Sequence, residues 1–283
     1  GGDGALVWSL ASGELPEGLS LSEDGVISGT PTTAGTSDIV VRVSDSDDID
    51  DSTDEATQPL TIVIASGEAS VSLGDLSQVY TGTPRAVSVT TTPAGLDVEV
   101  TYDGSATPPT NAGTYEVVAT IVDPNYTGSA SGTLTIERAP ATVTLGDLEH
   151  TYDGSPKEAS AMTTPAGLVV ALTYDGNSAP PTDVGSYAVS AVITDLNYVG
   201  TGTGTLTIGP AEATIVFDGL RQVYDGTPKS VTVTTVPAGL PVTITYVGGA
   251  DAPTLPGTYD VEATIDSPNY SGAAIETMRI SIT

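Results

Sequence analysis

Tyr152-Asp153-Gly154-Ser155-Pro156-Lys157, then Thr173-Tyr174-Asp175-Gly176, Gly185-Ser186-Tyr187, Asn197-Tyr198-Val199-Gly200 and a closing Leu206-Thr207-Ile208 form the stretch that decides the fold. Its landmarks recur on both sides without insertion or deletion. Tyr80, Tyr152 and Tyr224 lie 72 residues apart, and so do Pro84, Pro156 and Pro228. The same step relates Gly95, Gly167 and Gly239; Tyr102, Tyr174 and Tyr246; Gly113, Gly185 and Gly257; and Asn125, Asn197 and Asn269. All 12 Tyr fall at four positions per copy. A fixed step of this kind marks tandem structural units. The copies run 69–140, 141–212 and 213–283.

Within a copy, apolar residues alternate with polar ones, which predicts strands buried on one face. In the first copy the apolar faces are Val71 and Leu73; Val87 and Val89; Leu96, Val98, Val100 and Tyr102; Tyr115, Val117, Ala119 and Ile121; and Leu134 and Ile136. Turn signals separate them: Pro93-Ala94-Gly95, Asp103-Gly104, Pro108-Pro109 and Ala112-Gly113-Thr114. Two packed sheets bury such one-sided strands most simply, with immunoglobulin or β-grasp-like connectivity both open. The expected fold class is all-β: small Ig-like β-sandwich modules in tandem, forming an extended rod. Tyr102 and Tyr115 are in phase with the core, their hydroxyls expected at its rim. Tyr80 and Tyr126 border turns.

The ordered motifs of all three copies resemble the YDG/MBG-type repeats of large bacterial surface proteins. Copy one departs with Tyr80-Thr81-Gly82 and copy three with Tyr246-Val247-Gly248, so neither Asp position suits a fixed ligand. The resemblance implies tandem cell-surface or secreted modules, often in adhesins, with no shared ligand.

Residues 1–66 carry a different signature: Gly1-Gly2-Asp3-Gly4, Trp8-Ser9-Leu10, Leu15-Pro16-Glu17-Gly18-Leu19, Gly25-Val26-Ile27-Ser28-Gly29-Thr30-Pro31 and Gly35-Thr36. This order resembles the cadherin-like Ig module of bacterial exoproteins. By that resemblance two strands ahead of the Gly-Gly turn are missing, so 1–66 is expected to be a partial module. Strands are expected near Leu6–Leu10, Leu19–Leu21, Val26–Ser28, Ile39–Val43 and Leu60–Ile64. The missing strands would come from upstream chain or from a neighbouring subunit by strand addition. Gly1 and the lack of a basic-then-apolar leader mark an expected processed or excised piece.

Composition narrows the function classes. With 7 Lys+Arg against 36 Asp+Glu the net charge is −29, which repels phosphate backbones and anionic lipid. No apolar run approaches the roughly 18 residues of a membrane span. There is one His and no Cys, leaving no basis for thiol chemistry, a zinc cluster or repeated catalytic triads. The joint Ala65-Ser66-Gly67-Glu68 carries Ser-Gly and is expected to be the most flexible, whereas Glu137-Arg138-Ala139-Pro140 and Gly209-Pro210-Ala211 are stiffer.

The densest chemical feature is Asp45, Asp47, Asp48, Asp50 and Asp51, extended by Asp54 and Glu55. Hard cations take several oxygen ligands, and crowded carboxylates favour a neutralising ion. Calcium is the candidate cofactor, against a plain solvated acidic hairpin. The pattern lacks the Gly of an EF-hand loop. His150 aligns with Gln78 and Gln222 and reads as a surface polar position. Trp8 alternates with Leu6 and Leu10 and reads as core rather than a sugar platform. Lys157 and Lys229 follow turn prolines, where exposure is expected. Gly200-Thr201-Gly202-Thr203-Gly204 reads as a strand-connecting turn, with no helix to make it a phosphate loop. Asn125-Tyr126-Thr127 and Asn269-Tyr270-Ser271 are formal glycosylation sequons, but Val199 breaks the pattern, favouring a structural Asn-Tyr turn.

The expected function is a non-catalytic extracellular segment of a bacterial surface or secreted protein, serving as an adhesin stalk or fibre subunit. Its expected partners are neighbouring Ig-like modules of the same or an identical chain, with no nucleic acid and no membrane span. The alternative is a module binding host or matrix glycan or mucin.

Overall fold

The computed structural model describes residues 5–45, 55–246 and 249–282. The described residues form strands and turns, with no helix. By contact the chain divides at Arg138/Ala139 into two units, the first holding the N-terminal module and the first repeat, the second holding the other two repeats.

In the N-terminal module, β1 (Leu6–Ser12), β4 (Gly35–Asp45) and β5 (Glu55–Ile64) make an antiparallel sheet in the order β1-β4-β5. A hairpin of β2 (Leu19–Leu21) and β3 (Ile27–Gly29) lies beside it. Trp8 holds the two together. Its backbone N–H donates to the Glu23 carbonyl at 3.0 Å, and its indole packs so tightly on Gly25 that a Cβ there would lie 2.9 Å from the ring. Trp8 is thus a half-buried packing residue. Ile39 and Val41 are buried, but Leu6, Val26 and Val63 remain more than half exposed. That is a thin core for a sandwich.

The first repeat opens with β6 (Gly67–Glu68), β7 (Ser70–Gly74) and β8 (Ser77–Val79), followed by β9 (Ser88–Thr92), β10 (Val98–Tyr102), β11 (Gly113–Ile121), β12 (Tyr126–Thr127) and β13 (Ser129–Glu137). One sheet has the order β10-β11-β13-β8, antiparallel except for the parallel edge β13–β8; β7 and β9 pair antiparallel in the other. The opening strand therefore begins in one sheet and crosses to the other. Asp75 makes the switch in the left-handed region at φ 56, as does Asp147 at φ 52; the third repeat uses Gly219. Short polar side chains and glycine are the residues that tolerate this conformation.

A three-stranded antiparallel run flanked by the second half of a split first strand is immunoglobulin connectivity. The second repeat orders Val170–Tyr174, Gly185–Ile193, Thr201–Gly209 and Glu149–Thr151 in the same way. The third does so with Val242–Tyr246, Gly257–Ile265, Ala273–Ser281 and Arg221–Val223. The β-grasp alternative is excluded by this order.

Alternation delivers the core as expected. Tyr102, Val117, Leu134 and Ile136 form the buried cluster of the first repeat, and Tyr174, Val189, Leu206 and Ile208 that of the second. Tyr246, Val261, Met278 and Ile280 repeat it in the third. The Tyr102 hydroxyl does not reach the rim. It accepts the Val87 amide at 3.1 Å, and Tyr174 and Tyr246 accept the amides of Ala159 and Val231 at 2.9 and 3.0 Å. A polar tip can sit inside this small core because the N–H ahead of β9 needs a partner there. Tyr115 does lie at the edge, its hydroxyl donating to the Asn111 carbonyl four residues back at 2.9 Å, and Tyr187 and Tyr259 repeat that bond. This is the tyrosine corner of immunoglobulin domains.

Candidate functional site

The recurring residues left over from the core gather at the joints between modules. At the first joint, the linker amide of Gly67 donates to the Asn125 carbonyl at 2.8 Å and that of Ala69 to the Thr127 carbonyl at 2.9 Å. These bonds make β6 a parallel partner of β12. Within the linker expected to be most flexible, the Gly67 N–H is thus taken up by the repeat that follows it. In the second unit, Ala211–Glu212 pairs in the same way with Tyr270–Ser271.

The side chain of the same Asn reaches back to the preceding module. Asn125 Oδ1 accepts the backbone N–H of Ala34 at 2.7 Å. Asn269 Oδ1 accepts that of Val184 at 3.0 Å, while its Nδ2 donates to Asp183 Oδ1, also at 3.0 Å. The loop ahead aims each Asn: its own amide donates to Asp123 Oδ1 at 2.8 Å or Ser267 Oγ at 3.3 Å. Ala34 and Val184 occupy matching turns, Pro31-Thr32-Thr33-Ala34-Gly35 and Pro181-Thr182-Asp183-Val184-Gly185. One residue thus binds linker and upstream turn together. In the second unit Tyr270 adds an edge-on ring contact with Tyr152, centroids 5.3 Å apart.

Gly128, Gly200 and Gly272 each lie against the opening segment of their own repeat. A Cβ on them would fall 2.1–2.2 Å from the carbonyl oxygens of Ala69, Ala141 and Ala213, where the chain crosses over. Gly200 is therefore a close-approach residue rather than part of a turn, and Thr201–Gly209 is a strand. The reading of 200–204 as a connecting turn is corrected by that pairing. The clue was available, since this glycine recurs in every copy whereas Gly202 and Gly204 become Ala274 and Glu276 in the third.

The other candidates fall elsewhere. Of the calcium residues, Asp45 ends β4 opposite Leu6. Asp47, Asp48, Asp50 and Asp51 lie outside the described residues. Among the described residues no three His, Cys, Asp or Glu gather as a metal site. His150 is more than a surface position: its Nε2 bonds the carbonyl of Asp147, the strand-switch residue, at 2.8 Å. Gln78 and Gln222 make the same bond to Asp75 and Gly219 at 2.8 and 2.7 Å.

Lys157 is mostly buried, its side chain 13% exposed, contrary to the exposure expected after a turn proline. Its Nζ lies 2.5 Å from Asp153 Oδ2, and Lys229 pairs with Asp225 at the same distance. These ammonium groups, joined by the hydroxyls and amides of Ser155 and Thr227, hold both carboxyls well below the usual carboxylate range. The cleft between β9 and β10, lined by Val89, Thr91, Leu96, Val98 and neighbouring residues, carries hydroxyls and no ionisable group.

The recurrent strand order, core and joint agree with the sequence comparison. A family model for the MBG domain matches residues 69–140, 141–212 and 213–283. The chain belongs to the MBG domain family. Ahead of these MBG repeats, residues 2–65 match the family described as "Putative Ig domain". No curated protein matches the chain.

Similar solved structures include Sidekick-1 immunoglobulin domains 1–5, at 12% identity and TM-score 0.29 over 98% of this chain and 74% of that one. Protocadherin Gamma B2 extracellular cadherin domains 3–6 match at 11% and 0.24, over 99% and 93%. The N-terminal four Ig domains of a Dscam1 isoform match at 13% and 0.26, over 99% and 91%. Such distant likenesses carry nothing about ligand or partner.

Proposed function

We propose that this chain is a non-catalytic, extracellular structural segment: the stalk of a large bacterial surface adhesin, or a subunit of an extracellular fibre. The observation that supports this most is the Asn clasp. The residues shared between copies serve core and joint, as a spacer requires, whereas a lectin site would be peculiar to one module. In this reading the thin N-terminal module is completed by strands from upstream chain or from a neighbouring subunit. The acidic residues 45–51 take calcium, and melting the chain with and without chelator tests that addition.

The spacer reading itself is tested by presenting the full chain to an array of host and matrix glycans. No binding above background is expected. Robust binding abolished by a substitution in one module would establish the glycan-binding alternative instead.

A further inference from the structure

The two clasps seen at Ala34 and Val184 need one thing from the upstream turn: a backbone N–H just before its final glycine. The third repeat carries the same turn as Pro253-Thr254-Leu255-Pro256-Gly257. Here the clasped position, 72 residues after Val184, is proline, which has no N–H. The preceding position, which supplies Asp183 Oδ1 to the Asn269 amide in the second repeat, is Leu255. Both clasp partners are therefore replaced in one turn. Leu255 is 65% exposed, and the rest of the turn keeps its structure: Lys229 N–H donates to the Pro253 carbonyl at 2.9 Å, as Lys157 N–H does to Pro181 at 2.8 Å. The Tyr259 hydroxyl still binds the Leu255 carbonyl at 2.8 Å.

We propose that residues 255 and 256 make this turn a blocked socket, so that the third repeat does not accept a further MBG repeat through the Asn clasp. This rests on the clasp as the joint of the stalk, and extends it to a rule of module order. An N–H at the position before the glycine admits a following repeat, and proline refuses it. An Asn brought against Pro256 would lose its donor, and its carbonyl would have to give up water for no partner. A repeat joined or docked after this one is left to move on its linker.

The test continues the 72-residue step by adding a second copy of residues 212–283 after Thr283. The chain has no Cys, so single cysteines replacing Thr277 and its counterpart in the added copy take spin labels selectively. Electron–electron dipolar spectroscopy should give a broad distance distribution in this chain. It should narrow when Leu255→Asp and Pro256→Val restore the second repeat's partners. Equal widths in the two chains, whether both narrow or both broad, would overturn the proposal.

A companion measurement uses the chain without the added repeat, labelled at Thr205 and Thr277. Asp183→Leu with Val184→Pro should broaden a distribution that is narrow in the parent, and an unchanged width would also overturn the proposal. Circular dichroism confirms that each variant folds. If the spacer reading failed on the glycan array, these distance measurements would still decide the socket.

Discussion

Asn269 accepts the backbone N–H of Val184 at 3.0 Å, 85 residues away in the preceding repeat. The same bond joins Asn125 to Ala34 at 2.7 Å, although the upstream module there belongs to a different family. Two module types thus share one joint chemistry. The turn before the strand that opens at Gly35 or Gly185 supplies an amide, and the Asn loop of the next module supplies the acceptor.

Replacing Tyr174 with Phe removes the acceptor of the buried Ala159 amide and little else. A buried donor left unpaired costs about 1–3 kcal/mol, so urea denaturation should show a loss of that order. Tyr246→Phe should match it at Val231, and Tyr102→Phe should cost less because the Val87 bond is only part-buried.

Gly200→Ala forces a methyl to within 2.1 Å of the Ala141 carbonyl. Neither partner is the end of a flexible side chain, so linker and module must separate. Overpacking of this kind costs roughly 1–3 kcal/mol, and the melting temperature should fall. The same change at Gly202, which the third repeat tolerates as Ala274, should be milder.

His150→Gln introduces the residue found at 78 and 222. It should be neutral or slightly stabilising, because Gln78 bonds both the Asp75 and Ala86 carbonyls, at 2.8 and 2.9 Å. His150→Ala leaves the Asp147 carbonyl without that donor and should cost about 1 kcal/mol by chemical denaturation.

Asp153 and Asp225 have carboxyls depressed from their ordinary 3.8, chiefly by hydrogen bonds from Lys157 and Lys229. A depressed folded-state value stabilises the folded chain above pH 3.8, and that contribution is lost as pH falls through the lowered value. Both carboxylates are more than half exposed, so the contribution is small. Carboxyl carbon NMR should find these two titrating well below ordinary aspartates. Lys157→Ala and Lys229→Ala should bring each back towards the ordinary range.

Much of this was legible in the sequence, for physical reasons that also explain the gaps. Strand alternation is local, so Val117, Ala119 and Ile121 could be assigned to one buried face directly. The 72-residue step forced a common fold on the copies. The joint is not local. Asn125 announces itself only by recurring, because its partner is a backbone amide in another module and any residue but proline supplies one. Nothing near Ser66-Gly67 in the sequence reveals that the Asn125 carbonyl takes up the Gly67 amide. The glycine at 128, 200 and 272 was the readable signal, and in the second copy it was hidden among the glycines of 200–204.

The central claim is that Asn side chains hold the upstream modules through a backbone amide of the turn, Ala34 or Val184. Amide hydrogen exchange at Ala34 and Val184, read by NMR in the full chain, tests it most directly. Both amides should exchange slowly, as strand amides do. Ala34 should lose protection only in Asn125→Ala, and Val184 only in Asn269→Ala, with the repeat cores still protected. Rapid exchange of both amides in the unsubstituted chain, or protection that survives loss of the Asn, would contradict the account.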